Sequence, residues 1–270
     1  MNSIRFLILP ALMDRFINVT ATSKSIDSRY QLESMVVRYS WASNFCKGKD
    51  VLEIACGTGQ GLSLILPYSK TLKACDISKK MIKIAKKTYS DEKLEFTVSD
   101  ASNLPYKDNS LDVILLFECI YYFENIDLVF NEIKRVIRPK GIILISTANS
   151  DLYDFNPSPY SFKYYGAKEL ASFLKNIGFR INLFGYDSIA KLSFKSKVFR
   201  LLKFIAVKTG VMPKTMKSKT FFKRFVFGEL IKMPSKLSNI NFKVLSGATS
   251  IIEPVPNKNF RIILASATLK

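Results

Sequence analysis

The stretch Val51-Leu52-Glu53-Ile54-Ala55-Cys56-Gly57-Thr58-Gly59-Gln60-Gly61 constrains the fold of this chain more than any other. Val51 to Ala55 are apolar apart from Glu53 and read as a short buried strand. Cys56 to Gly61 are small or polar and rich in glycine, and Leu62, Leu64, Ile65 and Leu66 open a helix. Strand, tight glycine turn and helix, in that order, open a nucleotide pocket at the carboxyl edge of an α/β sheet. Glycine lets the backbone approach a ligand where a Cβ would collide, and the helix start offers unpaired N–H groups. A plain turn can look the same, so the weight falls on the strands downstream of it.

Three further apolar runs each end in an acid. Thr71 to Asp76 ends in Asp76, a little over 20 residues after Glu53, which matches the spacing expected of a ribose-hydroxyl acceptor. Leu94 to Asp100 is a third strand, and Leu111 to Glu118 a fourth. Acids that merely cap helices explain one or two of these strand ends and explain the whole set poorly.

These residues resemble the class I S-adenosylmethionine-dependent methyltransferases. The likeness is carried by Glu53-x-Ala55-x-Gly57-x-Gly59, Asp76, Asp100-Ala101 followed by Asn103-Leu104-Pro105-Tyr106, and Asp112-Val113-Ile114-Leu115. Asn131 to Gly141 also fits the segment leading into a fifth strand, Ile142 to Thr147. The resemblance runs from about residue 28 to 187. It implies an α/β, Rossmann-like, seven-stranded, mostly parallel sheet with helices on both faces. The last strand is antiparallel and an insertion precedes it. The pattern departs from the family at Ala55, where many members carry the first glycine. We expect a slightly less close backbone approach there.

By the same resemblance the cofactor is S-adenosyl-L-methionine. Its expected contacts are Tyr39, Glu53, Ala55, Gly57, Gly59, Asp76, Ile77, Met81, Asp100, Ala101 and Phe117. Asp76 is expected to accept from the ribose hydroxyls and Asp100 from the adenine amino group. Glu53 is expected to orient the glycine turn or to reach the amino-acid part. Tyr39 and Trp41 lie on a helix that covers the cofactor in the family; both also read as ordinary core residues.

Methyl transfer from a sulfonium is an in-line displacement whose main demand is alignment. A base is needed only for a hydroxyl or charged amine acceptor. The chain has no histidine, which removes imidazole as base and as metal ligand, and no metal site is expected. In the resembled family the residues after the fourth strand face the transferable methyl, which makes Glu118, Tyr121 and Tyr122 the catalytic candidates, with the loop acids Asp151 and Asp154 further on. Glu118 ranks first. The four cysteines, Cys46, Cys56, Cys75 and Cys119, show no C-x-x-C spacing and read as free core thiols of a reducing compartment.

In chain order, residues 1–27 form an N-terminal segment, 28–187 with 259–270 the Rossmann-like domain, and 188–258 a basic, partly helical insertion. Ile4 to Met13 is apolar apart from Arg5, but is broken by Pro10 and too short to span a bilayer. Asp27 or Ser28 caps a helix to about Phe45, and Ser78 caps another to about Tyr89. A helix over Ala167 to Asn176 closes on Gly178. Phe179 to Tyr186 and Phe260 to Thr268 are the sixth and seventh strands. Residues 148–166 interleave Asn, Asp and Pro with Tyr153, Phe155, Tyr160, Phe162, Tyr164 and Tyr165, and are either a substrate wall or a packed surface loop.

The net charge is +19. Between Lys191 and Lys236 thirteen basic residues stand against Glu229, so this segment carries +12 of it. Phe194, Val198, Leu201, Leu202 and Ile205 recur at helical spacing, so the charges ride on an amphipathic helix. An anionic membrane surface, nucleic acid, an anionic substrate and a solvated cover over the core all fit. The compartment expected is the cytoplasm, peripheral at a membrane if this segment docks there.

The leading function is transfer of a methyl group to an O or N atom of a small molecule, with a sugar or lipid-linked glycan favoured. The alternative is an RNA or other nucleic-acid methyltransferase using the basic insertion. A nicotinamide oxidoreductase requires glycine at position 62, where Leu62 stands. A membrane-associated scaffold that has kept the fold without catalysis is the remaining alternative.

Overall fold

The computed structural model describes residues 22–23, 25–190, 192–209, 230–239, 249–251 and 255–270. Residues 1–21, and Lys191, Lys214, Lys217, Lys219, Lys223, Arg224 and Glu229 of the basic insertion, lie outside the described residues. The strands are β1 (Ile26–Ser28), β2 (Asp50–Ile54), β3 (Thr71–Asp76), β4 (Leu94–Val98), β5 (Leu111–Phe117), β6 (Ile137–Ala148), β7 (Phe179–Ser188), β8 (Leu230–Lys232), β9 (Thr249–Ile251) and β10 (Phe260–Leu269). The helices are α1 (Arg29–Ser43), α2 (Leu62–Ile65), α3 (Lys79–Thr88), α4 (Ile126–Val136), α5 (Ala167–Asn176) and α6 (Phe194–Lys208).

The main sheet has eight strands in the order β4-β3-β2-β5-β6-β10-β7-β9. From β4 to β6 neighbouring strands pair parallel, and β10 inserts antiparallel between β6 and β7. The expected seven-stranded sheet with an antiparallel last strand is there. The extra strand is β9, a three-residue edge on β7 contributed by the insertion.

Alternation along the central strands builds two cores. Leu52, Ile54, Ile114, Leu116, Ile143 and Ile145 face α4 and α5, where Phe130, Ile133, Leu170 and Leu174 fill the layer. Val51, Val113, Leu115, Phe117 and Leu144 face α1, α2 and α3 through Leu32, Val36, Leu62, Ile65, Ile82 and Ala85. Strands buried on both faces read as continuous apolar runs, which is why they were legible. α1 starts where Ser28 Oγ accepts the Gln31 N–H, and α3 where Ser78 Oγ accepts that of Met81. Cys46, Cys56, Cys75 and Cys119 are free and buried. α2 is shorter than the apolar run after the glycine turn implied, because the chain turns at Leu66 to Ser69 to enter β3.

A separate two-stranded ribbon ties the interior of the insertion to the start of the domain. β1 pairs antiparallel with β8, and Met233 N–H donates to Ser25 O at 2.8 Å. Beyond β8, Leu237 N–H donates to Gln60 O and Ser238 N–H to Ser63 Oγ, both at 3.1 Å. Residues 230–239 therefore lie against the glycine turn and α2.

Candidate functional site

The site forms where β2, β3 and β5 end side by side at the carboxyl edge of the sheet. After β2 the backbone swings through Ala55 (φ 59°), Gly57 (57°) and Gly59 (74°). Gly57 and Gly59 meet this left-handed geometry without steric cost. Ala55 does not, because its Cβ crowds the following carbonyl. The sequence expectation at Ala55 therefore needs correcting. The penalty for lacking the family's glycine is conformational strain rather than a more distant backbone. Gly61 is required for another reason: a Cβ there would sit 2.0 Å from Tyr39 Cζ.

Glu53 is the buried acid of the glycine-turn strand, 1% exposed. Its Oε1 accepts the Tyr39 hydroxyl from α1. Its Oε2 is buried with no hydrogen-bond partner. Burial pushes the Glu53 carboxyl up to about 8, against the lowering influence of Tyr39 and Arg38, and Asp76 adds to the rise. The Tyr39 hydroxyl is itself pushed well above its ordinary range, first by burial and then by Glu53. Tyr39 packs edge-on to Phe117 with ring centroids 5.1 Å apart. Trp41 packs against Phe45 and Phe184.

Asp76 closes β3. Its Oδ2 accepts Gly57 N–H at 2.9 Å and its Oδ1 accepts Ser78 N–H at 2.8 Å. One carboxylate thus pins the glycine turn and the start of α3 together. Burial raises its pKa and the two N–H donors pull it back. Ile77 is half-buried beside it, and Met81 is buried on α3. Asp100 is exposed and accepts from the N–H and hydroxyl of Ser102, each at 2.8 Å, with Ala101 buried next to it.

Glu118 follows β5 and also adopts positive φ, at 51°. Its N–H donates to Ser146 O at 2.8 Å. Its Oε1 accepts from Ser146 Oγ at 2.9 Å and pairs with Arg38 Nη1 at 3.2 Å. Its Oε2 accepts the Tyr121 hydroxyl at 3.3 Å. Tyr121 and Tyr122 form a 3₁₀ turn, Ile120–Tyr122. Burial pushes both phenols up, and Glu118 adds to the rise, so both stay protonated at neutral pH and serve as donors.

Loop 149–166 folds onto this turn. Tyr164 stacks on Tyr121 with centroids 4.0 Å apart, Tyr122 and Ser158 hydroxyls meet at 2.7 Å, and Phe162 N–H donates to Tyr121 O at 2.8 Å. The two loop acids named as catalytic candidates are otherwise engaged. Asp151 Oδ2 accepts the N–H groups of Ala167 and Asn257 at 3.0 and 2.7 Å. Asp154 is buried against Arg200 of α6, which donates from Nε at 3.0 Å. Burial raises the Asp154 carboxyl, but Arg200 and Lys203 outweigh it and hold it below the usual range.

Arg38 and Ser146, which hold Glu118, escaped the sequence reading. Arg38 lies at the margin of the apolar stripe of α1, beside Met35 and Ala42, yet is buried. A cation at the edge of an otherwise apolar stripe was the available signal, and its partner Glu118 follows β5, far away in sequence.

A mostly parallel sheet with an antiparallel last strand, and a glycine turn flanked by carboxylates at neighbouring strand ends, make a Rossmann-like α/β fold of the kind the sequence resemblance implies. Residues 52–145 match the model of the methyltransferase domain family. Among curated proteins, a probable S-adenosylmethionine-dependent methyltransferase of Mycolicibacterium smegmatis is 27% identical over 159 residues, covering 57% of this chain and 61% of that one. Norajmaline N-methyltransferase of Rauvolfia serpentina is 34% identical over 137 residues, 48% of this chain and 46% of its own. Phthiotriol/phenolphthiotriol dimycocerosates methyltransferase 1 of Mycobacterium ulcerans is 36% identical over 101 residues, 36% of each chain. The chain thus covers less than two thirds of each of these relatives.

Among solved structures, a methyltransferase of Archaeoglobus fulgidus superposes with a TM-score of 0.54 at 17% identity, covering 89% of this chain and 94% of that one. The [4+2]-cyclase SpnF superposes with a TM-score of 0.55 at 14% identity, covering 98% and 94%. At such identities the likeness is one of fold, and the second protein shows that this fold also carries other chemistry.

Proposed function

We propose that the chain transfers a methyl group from S-adenosyl-L-methionine to an O or N atom of a small molecule. The observation that carries this is the placement of two carboxylates on either side of the glycine turn that follows β2: Asp76 at the end of β3, tied to the Gly57 N–H, and Glu118 after β5, held by Arg38 and Ser146. The residues present fit the cofactor. Glu53 Oε2 is an unpartnered acceptor beside the glycine turn, and Asp76 keeps lone pairs free beyond its two N–H donors. Asp76 would take the ribose hydroxyls, Glu53 Oε2 the amino group, and Asp100 with Ala101 the adenine. Ala55, Gly57, Gly59, Ile77, Met81, Phe117 and Tyr39 would line the remainder. Bound there, the cofactor supplies an activated methyl on sulfur.

The chain's own contribution is then alignment. Glu118 is fixed in place by three partners, so it presents a positioned carboxylate to an acceptor hydroxyl or amine. Tyr121 and Tyr122 donate hydrogen bonds, and loop 149–166 forms the acceptor wall. A sugar or lipid-linked glycan is the favoured acceptor. The similarity to a phthiotriol/phenolphthiotriol dimycocerosates methyltransferase and to norajmaline N-methyltransferase supports a small-molecule acceptor. The basic segment 191–236 favours an anionic partner and keeps nucleic acid as the second reading. Incubation with methyl-labelled cofactor and cell extract, fractionated into lipid, glycan, small-molecule and RNA pools, tests both readings. Label in the lipid, glycan or small-molecule pools supports the first, and label confined to RNA replaces it.

A further inference from the structure

A helix on the surface of a globular domain normally turns its apolar stripe inward and its charges to water. α6 does the reverse. Phe194 is 82% exposed, Leu201 53%, Leu202 54% and Ile205 48%, and Val198 is exposed with them. At 3.6 residues per turn these side chains occupy about 100° of the helix circumference. Lys197 and Lys208 border the stripe on one side by the same spacing. The inward face carries Arg200, whose guanidinium is buried on Asp154 and lies 4.6 Å from the Tyr153 ring centroid. Phe204 packs edge-on to Tyr153 at 5.7 Å. The helix is therefore anchored to loop 149–166 by an ion pair and two ring contacts, and its apolar stripe is left outward.

Loop 149–166 itself exposes Tyr153 and Phe162. α6 carries five basic residues and no acid, and the surrounding segment is strongly cationic. An apolar stripe bordered by lysines on a cationic helix complements one kind of partner, an anionic lipid surface, where apolar side chains enter the acyl boundary and lysines meet headgroup phosphates. Among the described residues no helix is long and apolar enough to cross a membrane, so the geometry is that of a helix lying on the surface. Nucleic acid would use the charges but leave the stripe in water.

We propose that α6 is a membrane-docking helix, with Phe194, Val198, Leu201, Leu202 and Ile205 buried in an anionic lipid surface. Because Arg200 and Asp154 join α6 to loop 149–166, docking places the acceptor wall at the lipid headgroups. The acceptor is then an amphiphile presented by the membrane. This last step rests on the methyl-transfer reading; the docking itself does not.

The test is flotation of the full chain with vesicles of phosphatidylserine in phosphatidylcholine and, in parallel, of phosphatidylcholine alone. The paired variant Leu201→Glu with Ile205→Glu is run beside it. Both positions are exposed, so the fold is expected to survive, and an unchanged melting temperature verifies it. The wild type should float with the anionic vesicles and much less with the neutral ones. The variant should lose at least about tenfold in vesicle affinity, since each buried aliphatic side chain contributes about a tenfold factor or more. Calorimetric affinity for S-adenosylmethionine should be the same in both proteins. Failed flotation with intact cofactor binding overturns the docking and leaves the methyl-transfer reading standing. Flotation without cofactor binding does the converse. Equal flotation of the variant, RNA binding without vesicle binding, or vesicle-independent self-association abolished by the variant each overturns the proposal.

Discussion

Tyr39 donates its hydroxyl proton to Glu53 Oε1 while Glu53 Oε2 remains buried and unpartnered. A carboxyl in this state favours its neutral form, and its folded-state pKa lies near 8. The unfolded value is about 4.3. Between these values the folded protein holds a proton that the unfolded chain has lost, so stability falls as pH rises, by about 1.4 kcal/mol per unit for this group. The contribution is fully present below about pH 4 and gone above the folded-state pKa. Glu53→Gln should flatten this dependence. Thermal melts at pH 5 and pH 8 check it: the wild type should lose more stability between them than the variant. Equal losses would mean that Glu53 is ionised in the fold.

Ala55 bears the strain of a left-handed backbone. Ala55→Gly should relieve about 1 kcal/mol, the left-handed penalty less the entropy glycine adds to the unfolded chain. Denaturant titration of the two proteins decides this. A destabilised glycine variant would show that the Ala55 methyl contributes packing that outweighs the strain.

The Arg200–Asp154 pair is buried on both sides. Arg200→Ala leaves the buried Asp154 with Lys203 alone, at 3.9 Å, and breaking a buried pair in this way costs roughly 3 kcal/mol. The loss should be local to loop 149–166 and α6. Hydrogen exchange should quicken there while β2 and β3 stay protected, and methyl transfer should fall with cofactor affinity nearly intact. If exchange is unchanged, the pair does not hold the loop. Shortening residues 153–165 makes the complementary test: transfer should vanish and cofactor affinity persist, and joint loss of both would make the loop purely structural.

The mostly parallel sheet and its strand-end residues were legible because buried parallel strands leave apolar runs and glycine turns leave their own mark. The strain at Ala55 was not, since a positive φ is a property of the backbone path and leaves no trace in the residue type. Arg38 was missed because its partner Glu118 is distant in sequence. The amphipathic pattern of α6 was plain, yet its outward orientation was not. It is decided by an ion pair between residues 46 positions apart. The same distance hid the structural duty of Asp154, and the pairing of Asp151 with Ala167 and Asn257 hid its own.

The most direct measurement of the account is calorimetric titration of S-adenosylmethionine, with NAD as control, into the wild type and into Asp76→Ala. The wild type should bind S-adenosylmethionine and not NAD. The variant should weaken binding by at least about tenfold, because two ribose hydroxyls lose hydrogen bonds to a charged group worth about 1.5–3 kcal/mol each. Unchanged affinity in Asp76→Ala, or NAD binding in the wild type, would contradict it.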